Sequence, residues 1–565
     1  MFRCTTAAFS LCLVFFMFNS PAVSQYSRQL IILKDKNGSP YSFNAPSAYL
    51  SPKAIERRTR FNIPLDSTDL PVNPVYLDSI KHAGAVTILN VSKWLNQVLI
   101  RTTDAAALDK ISRMPFVKIA EPLANRPLTP TIRMDKFNEL LTDVLQQANT
   151  IQAVNTNSIN YGNSFAQIHM HEGEFLHDQG YLGEGMTIAV LDGGFNSYLT
   201  NPGFDSIRNN NQILGTWDYV DNESSVNEDH PHGSECLSIM AGNFPGYLVG
   251  TAPHAKYWLF RTEDANSEYP VEEQNWAAAM EQADSLGVDL VTSSLGYSTF
   301  SDPTFNHAYA DMNGHTTIVT RAAELAVKKG MIVTNSAGNE GNHTWKYIVA
   351  PADGENVLTI GAIDLNKVVA PFSSFGPTSD GRVKPDVTSL GLGTFLIGTS
   401  GNIIKGNGTS FSNPNLAGLI TCLWQAFPEF SNKEILNAVK KSSNQYSTPD
   451  ERVGYGIPDF KIAHDLLKNE RIRRQAEKVL GNDDIKVFPN PVVDRLTILF
   501  KAIRSGSIDV QLIDASGRML QSRVQDVLGT QISIIQLDGL TIIPHGTYYL
   551  RYRSGDQHGT IRLVK

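Results

Sequence analysis

The sequence predicts an α/β protein: a mostly parallel sheet with helices on both faces, preceded by a small α+β unit and followed by a small all-β sandwich. Three observations carry this. Between residues 158 and 468, apolar strands alternate with helical stretches. Ahead of them, residues 25–125 follow a strand–helix–strand–strand–helix–strand order. Beyond residue 485 the pattern changes to period-two alternation broken by short turns. At 565 residues the chain is long enough for several domains. A content of 42% apolar and 18% charged residues fits a globular protein. A formal net charge of −8 and a pI of about 5.9 argue against nucleic acid as a partner.

Residues 1–24 read as a secretory signal peptide. Arg3 supplies a positive start, 7–18 is an apolar run, and Ala22-Val23-Ser24 offers small residues for cleavage. The run falls short of the roughly 20 residues that cross a bilayer. The mature chain is therefore expected to be exported, through the periplasm, with no membrane span. Cys4 and Cys12 leave with the signal. Cys236 and Cys422 remain on predicted buried helices, as two free thiols or one bridge.

In the 25–125 unit, strands are expected at 29–34, 85–91, 97–102 and 117–121. Helices are expected at 75–82 and 104–114, the second capped by Asp104. This is the split βαβ, or ferredoxin-like, pattern, with an extra element at 52–60. Residues 126–157 carry Pro127, Pro130 and Gln146-Gln147-Ala148-Asn149, and read as an exposed linker open to proteolytic cutting. In the central region strands are expected at 186–191, 256–260, 289–293, 331–335 and 357–362. Helices are expected at 273–286, 318–329, 410–426 and 432–442. Residues 469–484 are charged and read as a spacer helix or linker. In 485–565, strands at 487–499, 507–512, 532–537, 547–552 and 560–564 predict a small sandwich.

Sheets of the central type carry chemistry at the carboxyl ends of their strands. Four segments fall at such edges or at helix starts. Asp192 ends a strand and precedes Gly193-Gly194; it can orient a histidine, or simply start a turn. His232 precedes a helix expected at 235–241; its ring can act as base and then acid near neutral pH, or be structural. Ser410, in Gly408-Thr409-Ser410, opens a long apolar helix, where free N–H groups favour an anion. It is either a nucleophile or only an N-cap. Pro414 is placed in the first helical turn, where its missing N–H is tolerated. Asn339, past the strand at 331–335, can aim its amide at developing negative charge together with the Ser410 N–H, or belong to a Gly-Asn turn. A rival metal reading rests on Glu228-Asp229-His230-Pro231-His232, Glu235 and His169-Met170-His171-Glu172. There is no His-Glu-x-x-His, and His-x-His alone is a weak zinc signal.

These segments resemble the subtilisin-like serine peptidases, the subtilases, over residues 158–468. Further matches are Thr251-Ala252-Pro253, Ser293-Ser294-Leu295-Gly296, Phe372-Ser373-Ser374-Phe375-Gly376 and Lys384-Pro385-Asp386-Val387. Departures are His232-Gly233-Ser234-Glu235, in place of the usual His-Gly-Thr-His, and an apparent insertion at 300–317. The resemblance implies a secreted serine endopeptidase with Asp192, His232 and Ser410 as triad and Asn339 in the oxyanion hole. It also implies that Ser294, Leu295, Gly296 and Gly338 bind a protein or peptide substrate, and that Cys236 lies beneath His232. Chemistry of this kind needs no cofactor; structural calcium and any metal ligands stay open. The 25–125 unit resembles the subtilase propeptide, an intramolecular chaperone and inhibitor, with activation cleavage in 126–157. Lys486-Val487-Phe488-Pro489-Asn490-Pro491-Val492 and Gly546-Thr547-Tyr548-Tyr549-Leu550 resemble the sorting domain of the type IX secretion system of Bacteroidetes-type bacteria. That machinery is then a partner, and the product a secreted or surface-held monomer. A non-catalytic binding protein on the same fold, or a metallopeptidase, is the alternative.

Overall fold

Seven parallel strands form the central sheet, in the order Val387–Leu390, Leu358–Ile363, Ile332–Ser336, Leu290–Ser293, Thr187–Asp192, Lys256–Arg261 and Ile213–Asp218. The structure is a computed structural model and describes residues 27–124, 136–137, 139–143 and 159–565. The expected signal peptide and most of the expected linker lie outside the described residues. Thr187–Asp192 is buried along its whole length, as a strand covered on both faces must be. Helices Val271–Leu286 and Ile318–Lys328 pack on the face presenting Ala189, Leu191, Val291 and Val333. Thr409–Ala426 packs against the sheet from its other face and contacts His232–Ala241.

Two strands of this sheet escape the sequence pattern. Ile213–Asp218 is an edge strand, mostly half-buried and carrying Gly215. Val387–Leu390 has four residues, directly after Pro385-Asp386. Both are too short or too open to show a clear apolar run. The helix expected from residue 235 starts three residues earlier, at His232 itself.

Residues 28–124 form a four-stranded antiparallel sheet in the order Thr87–Ser92, Gln97–Arg101, Arg28–Leu33, Val117–Ala124. Helices Pro74–Lys81 and Ala105–Ser112 complete the split βαβ arrangement, and Asp104 caps the second by accepting from Ala106 N and Ala107 N at 3.0 Å each. This unit lies against the helix Val271–Leu286. Arg57 and Arg58 of the extra helix Pro52–Arg60 hold the buried Asp284, and Arg58 also reaches Asp69 at 3.0 Å. Glu281 accepts from Lys93 N at 2.6 Å, Trp94 N at 3.2 Å and the Ser92 hydroxyl. Asn90 bonds Asn275 at 2.8 Å, and Gln97 bonds Gln274 at 3.1 Å.

By contact the chain divides into two compact units, the second being His464–Lys565. The expected spacer is helical: Phe460–Leu480 runs through most of it. The strand expected at 487–499 is two strands, Ile485–Phe488 and Leu496–Lys501, because Pro489 and Pro491 interrupt the ladder. With Ile532–Leu537 they form one sheet. The other has the order Met519–Val527, Gly506–Asp514, Thr547–Ser554, Gln557–Val564. The two sheets enclose a core that includes Leu496, Ile498, Phe500, Val510, Leu512 and Leu550.

Candidate active site

Asp192 is the last residue of the central strand, fully buried. His232 opens its helix at 1% exposure, and its Nδ1–H donates to Asp192 Oδ1 at 2.7 Å. That bond leaves Nε2 as the ring's working edge. Burial acts to depress the His232 imidazolium, but the carboxylates of Asp192 and Glu139 outweigh it and hold its pKa well above the ordinary range. Cys236 lies one helical turn on, its Sγ 3.9 and 4.0 Å from the two ring nitrogens. Burial pushes this thiol up to about 12, so it is protonated at neutral pH. Cys236 and Cys422 are both free and buried.

Ser410 is the second residue of Thr409–Ala426. Gly408 occupies the N-cap position, so Ser410 is not a capping serine. Pro414 sits in the second turn rather than the first. Its missing N–H would otherwise bond the Ser410 carbonyl four residues back. That carbonyl instead accepts from Ser294 Oγ at 2.9 Å and Cys236 Sγ at 3.4 Å. The proline thus frees an acceptor that ties the serine to the His232 helix and to the segment after Leu290–Ser293.

Asn339 follows the strand Ile332–Ser336. Its Oδ1 accepts from Thr409 N and Thr409 Oγ1, both at 2.9 Å, which turns its Nδ2 toward the cleft. Ser294, Leu295, Gly296 and Gly338 line the same cleft as Ser410 and Asn339, a space of about 590 Å³. Asn335 steadies that wall by donating to the Leu295 carbonyl at 2.8 Å. Asp192 and His232 thus pair with each other, while Ser410, Asn339, Ser294, Leu295, Gly296 and Gly338 line one cleft, which Glu139 also lines 3.4 Å from His232 Nε2.

The cleft is not empty. Lys136, Phe137 and Glu139 lie in it, and Leu140–Asp143 adds as an antiparallel strand to Ile403–Asn407. The Glu139 carboxylate accepts from Asn339 Nδ2 at 3.1 Å and lies 3.4 Å from His232 Nε2. Phe137 stacks on the His232 ring at 4.5 Å between centroids. A Cβ on Gly408 would strike the Glu139 carboxylate, and one on Gly193 the Phe137 ring. These glycines clear the path for an incoming chain. Upstream, Lys136 Nζ meets Glu272 at 2.7 Å, Glu263 at 2.8 Å and Glu268 at 2.9 Å.

Sequence reasoning missed Thr409, Lys136, Glu139 and these three glutamates. A polar linker has no periodicity to mark which residues dock. The acids crowded at 263–273, just past the strand Lys256–Arg261, were the available signal. Of the metal reading, His171 is buried between Pro458 O and Ser389 Oγ, whereas His169 pairs with Glu174 and, with Glu172, places three carboxylate or imidazole atoms within 4.8 Å of one another. Asp229 turns to Arg261 with Asp218 and Asp221.

An aspartate-oriented histidine, a serine at a helix start and an amide donor beside one cleft are the groups that serine hydrolases use. The subtilase family model matches residues 183–456. A Bacteroidota peptidase S8 propeptide domain matches 28–136, and a secretion system C-terminal sorting domain matches 486–565. The chain is 26% identical over 309 residues to the serine protease AprX of Bacillus subtilis, covering 49% of this chain and 65% of that protein. It is 28% identical over 274 residues to a thermophilic serine proteinase of Bacillus sp. strain AK1, covering 48% and 60%. The chain thus spans less than two thirds of the length of either relative. A crystal structure of MycP1 lacking its N-terminal propeptide aligns with a TM-score of 0.42 at 22% identity, over 53% of this chain and 96% of that one.

Proposed function

We propose that this chain is the zymogen of a secreted serine endopeptidase. Ser410 attacks the peptide carbonyl, and His232 takes its proton and passes it to the leaving amine. Asp192 holds His232 in the required tautomer, and Asn339 with the Ser410 N–H receives the oxyanion. Ser294, Leu295, Gly296 and Gly338 hold the substrate backbone. One observation carries this reading: His232, with Nδ1 committed to Asp192, has its Nε2 3.4 Å from Glu139, which lies in the cleft lined by Ser410 and by Asn339, whose oxygen Thr409 holds. The serine-protease names of the relatives support it.

In the uncut chain Glu139 stands between His232 and Asn339, and its charge favours the imidazolium, which cannot act as base. Removal of residues 25–125 and cleavage within 126–157 free the site. The C-terminal unit hands the protein to the type IX secretion machinery, after a signal peptide at 1–24 has directed it to the periplasm. The test is labelling with a fluorophosphonate probe, read by intact mass and peptide mapping. The processed protein is expected to carry one adduct, on Ser410. Chelator-sensitive hydrolysis with Ser410 unlabelled overturns the proposal in favour of metal chemistry.

A further inference from the structure

We propose that Glu263, Glu268 and Glu272 form a subsite for a lysine or arginine side chain of the substrate, the position that Lys136 fills in the uncut chain. This deepens the peptidase reading and rests on it for the word substrate. The subsite is identified by its occupant. Lys136 directly precedes Phe137, whose ring stacks on His232, and stands three residues before Glu139. Its side chain is therefore presented to the cleft as a bound peptide would present one. Glu263 and Glu268 line that cleft together with Ser410 and Ser294–Gly296.

The pocket is built around its carboxylates. Glu272 is fixed by Asp264 N at 2.8 Å and Tyr269 N at 3.0 Å. Glu263 accepts from Thr262 Oγ1 at 3.0 Å and from the Tyr297 hydroxyl. Both side chains are 2% exposed, and Glu268 closes the outer side at 20%. A lysine ammonium has three donors and here meets three carboxylates, one each. The three acids approach within 4.8 Å of one another, so loss of Lys136 leaves mutual repulsion in a buried place. Burial already pushes Glu268 up to about 7, and burial also raises Glu272. A new cationic side chain relieves that repulsion, whereas a neutral one leaves it.

The experiment uses enzyme matured from the full chain and internally quenched peptides spanning the sequence of residues 132–143. Lysine, arginine, norleucine or glutamate is placed at the position of Lys136, and cut sites are read by mass spectrometry. The lysine and arginine peptides are expected to exceed norleucine in kcat/KM on the order of ten- to a hundredfold, the usual range for hydrogen bonds to charged groups. Glu268→Gln and Glu272→Gln each lower that ratio, and the double variant brings it close to one. Because it compares substrates on one enzyme sample, the ratio is insensitive to partial misfolding. Equal kcat/KM for lysine and norleucine in the unmodified enzyme overturns the subsite. If no peptide is cut and Ser410 stays unlabelled, the peptidase reading fails, and the pocket is then judged separately. In the full-length Ser410→Ala protein, Lys136→Met is expected to speed amide hydrogen exchange at residues 139–143 at least tenfold. Unchanged exchange there overturns the subsite on its own.

Discussion

The Asn339 amide faces the cleft because Thr409 claims its oxygen twice. Removing the donor with Asn339→Ala is expected to lower kcat by about 10²–10³-fold with KM little changed, since the bond matters once negative charge has formed. Steady-state kinetics decide it, and an effect confined to KM contradicts the role. Thr409→Val keeps the backbone bond and loses the hydroxyl. Its expected cost is about 3–10-fold in kcat, one ordinary hydrogen bond, and Thr409→Ser restores the rate. Ser410→Ala is expected to abolish hydrolysis and also self-cleavage, leaving residues 25–125 covalently attached. Gel mobility and intact mass report both, and normal processing contradicts the assignment. Asp192, His232, Ser410 and Asn339 were legible because each stands beside a glycine-marked turn at a strand end or helix start. Pro414 was misplaced by one turn, because a helix start read from sequence is uncertain by a few residues. Glu139 could not be read at all: its importance comes from a fold-wide placement that nothing local announces.

At the scale of elements, the helix Val271–Leu286 is the informative one. Its limits follow closely from the sequence, yet its polar side does not face water. Gln274, Asn275, Glu281 and Asp284 are buried under residues 28–124. A polar helix face looks the same in sequence whether solvent or a docked unit covers it. Two of its acids set opposite pH edges for the docked state. Asp284 is drawn below its ordinary range by Arg57 and Arg58 against its burial, so its contribution is present above about pH 3.8 and is lost as pH falls through the depressed value. Burial raises Glu281 from 4.5 to about 7, so its contribution is full below 4.5 and is lost as pH rises through 7. In the Ser410→Ala background, Glu281→Gln is therefore expected to become more stable relative to its parent as pH rises from 5 to 8. Unfolding midpoints across that range measure it. Parallel curves for the two proteins contradict the linkage.

Across the whole molecule, the three stretches of differing sequence pattern carry separate sheets, although by contact the first two belong to one compact unit. The sequence pattern does not mark the edge strands Ile213–Asp218, Val387–Leu390 and Met519–Val527, nor the small sheet of Leu392–Ile397, Ile403–Asn407 and Leu140–Asp143. Met519–Val527 is largely exposed on both faces, so alternation gives no signal there. Deletion of residues 486–565 is expected to leave a chain that still processes itself and labels at Ser410, yet stays in the periplasm. Cell fractionation with probe labelling separates the two outcomes, and export of the truncated chain contradicts a sorting role.

The proline in Thr409–Ala426 has a consequence for cooperativity. A helix normally closes its carbonyls within itself and can loosen without consulting its neighbours. Here the Ser410 carbonyl is shared with Cys236 and Ser294, so the histidine helix, the serine helix and the wall of the cleft meet at one oxygen atom. The three are expected to open together or not at all, as one unit of local unfolding. For the proposed secreted peptidase, that leaves no half-open state to be cut.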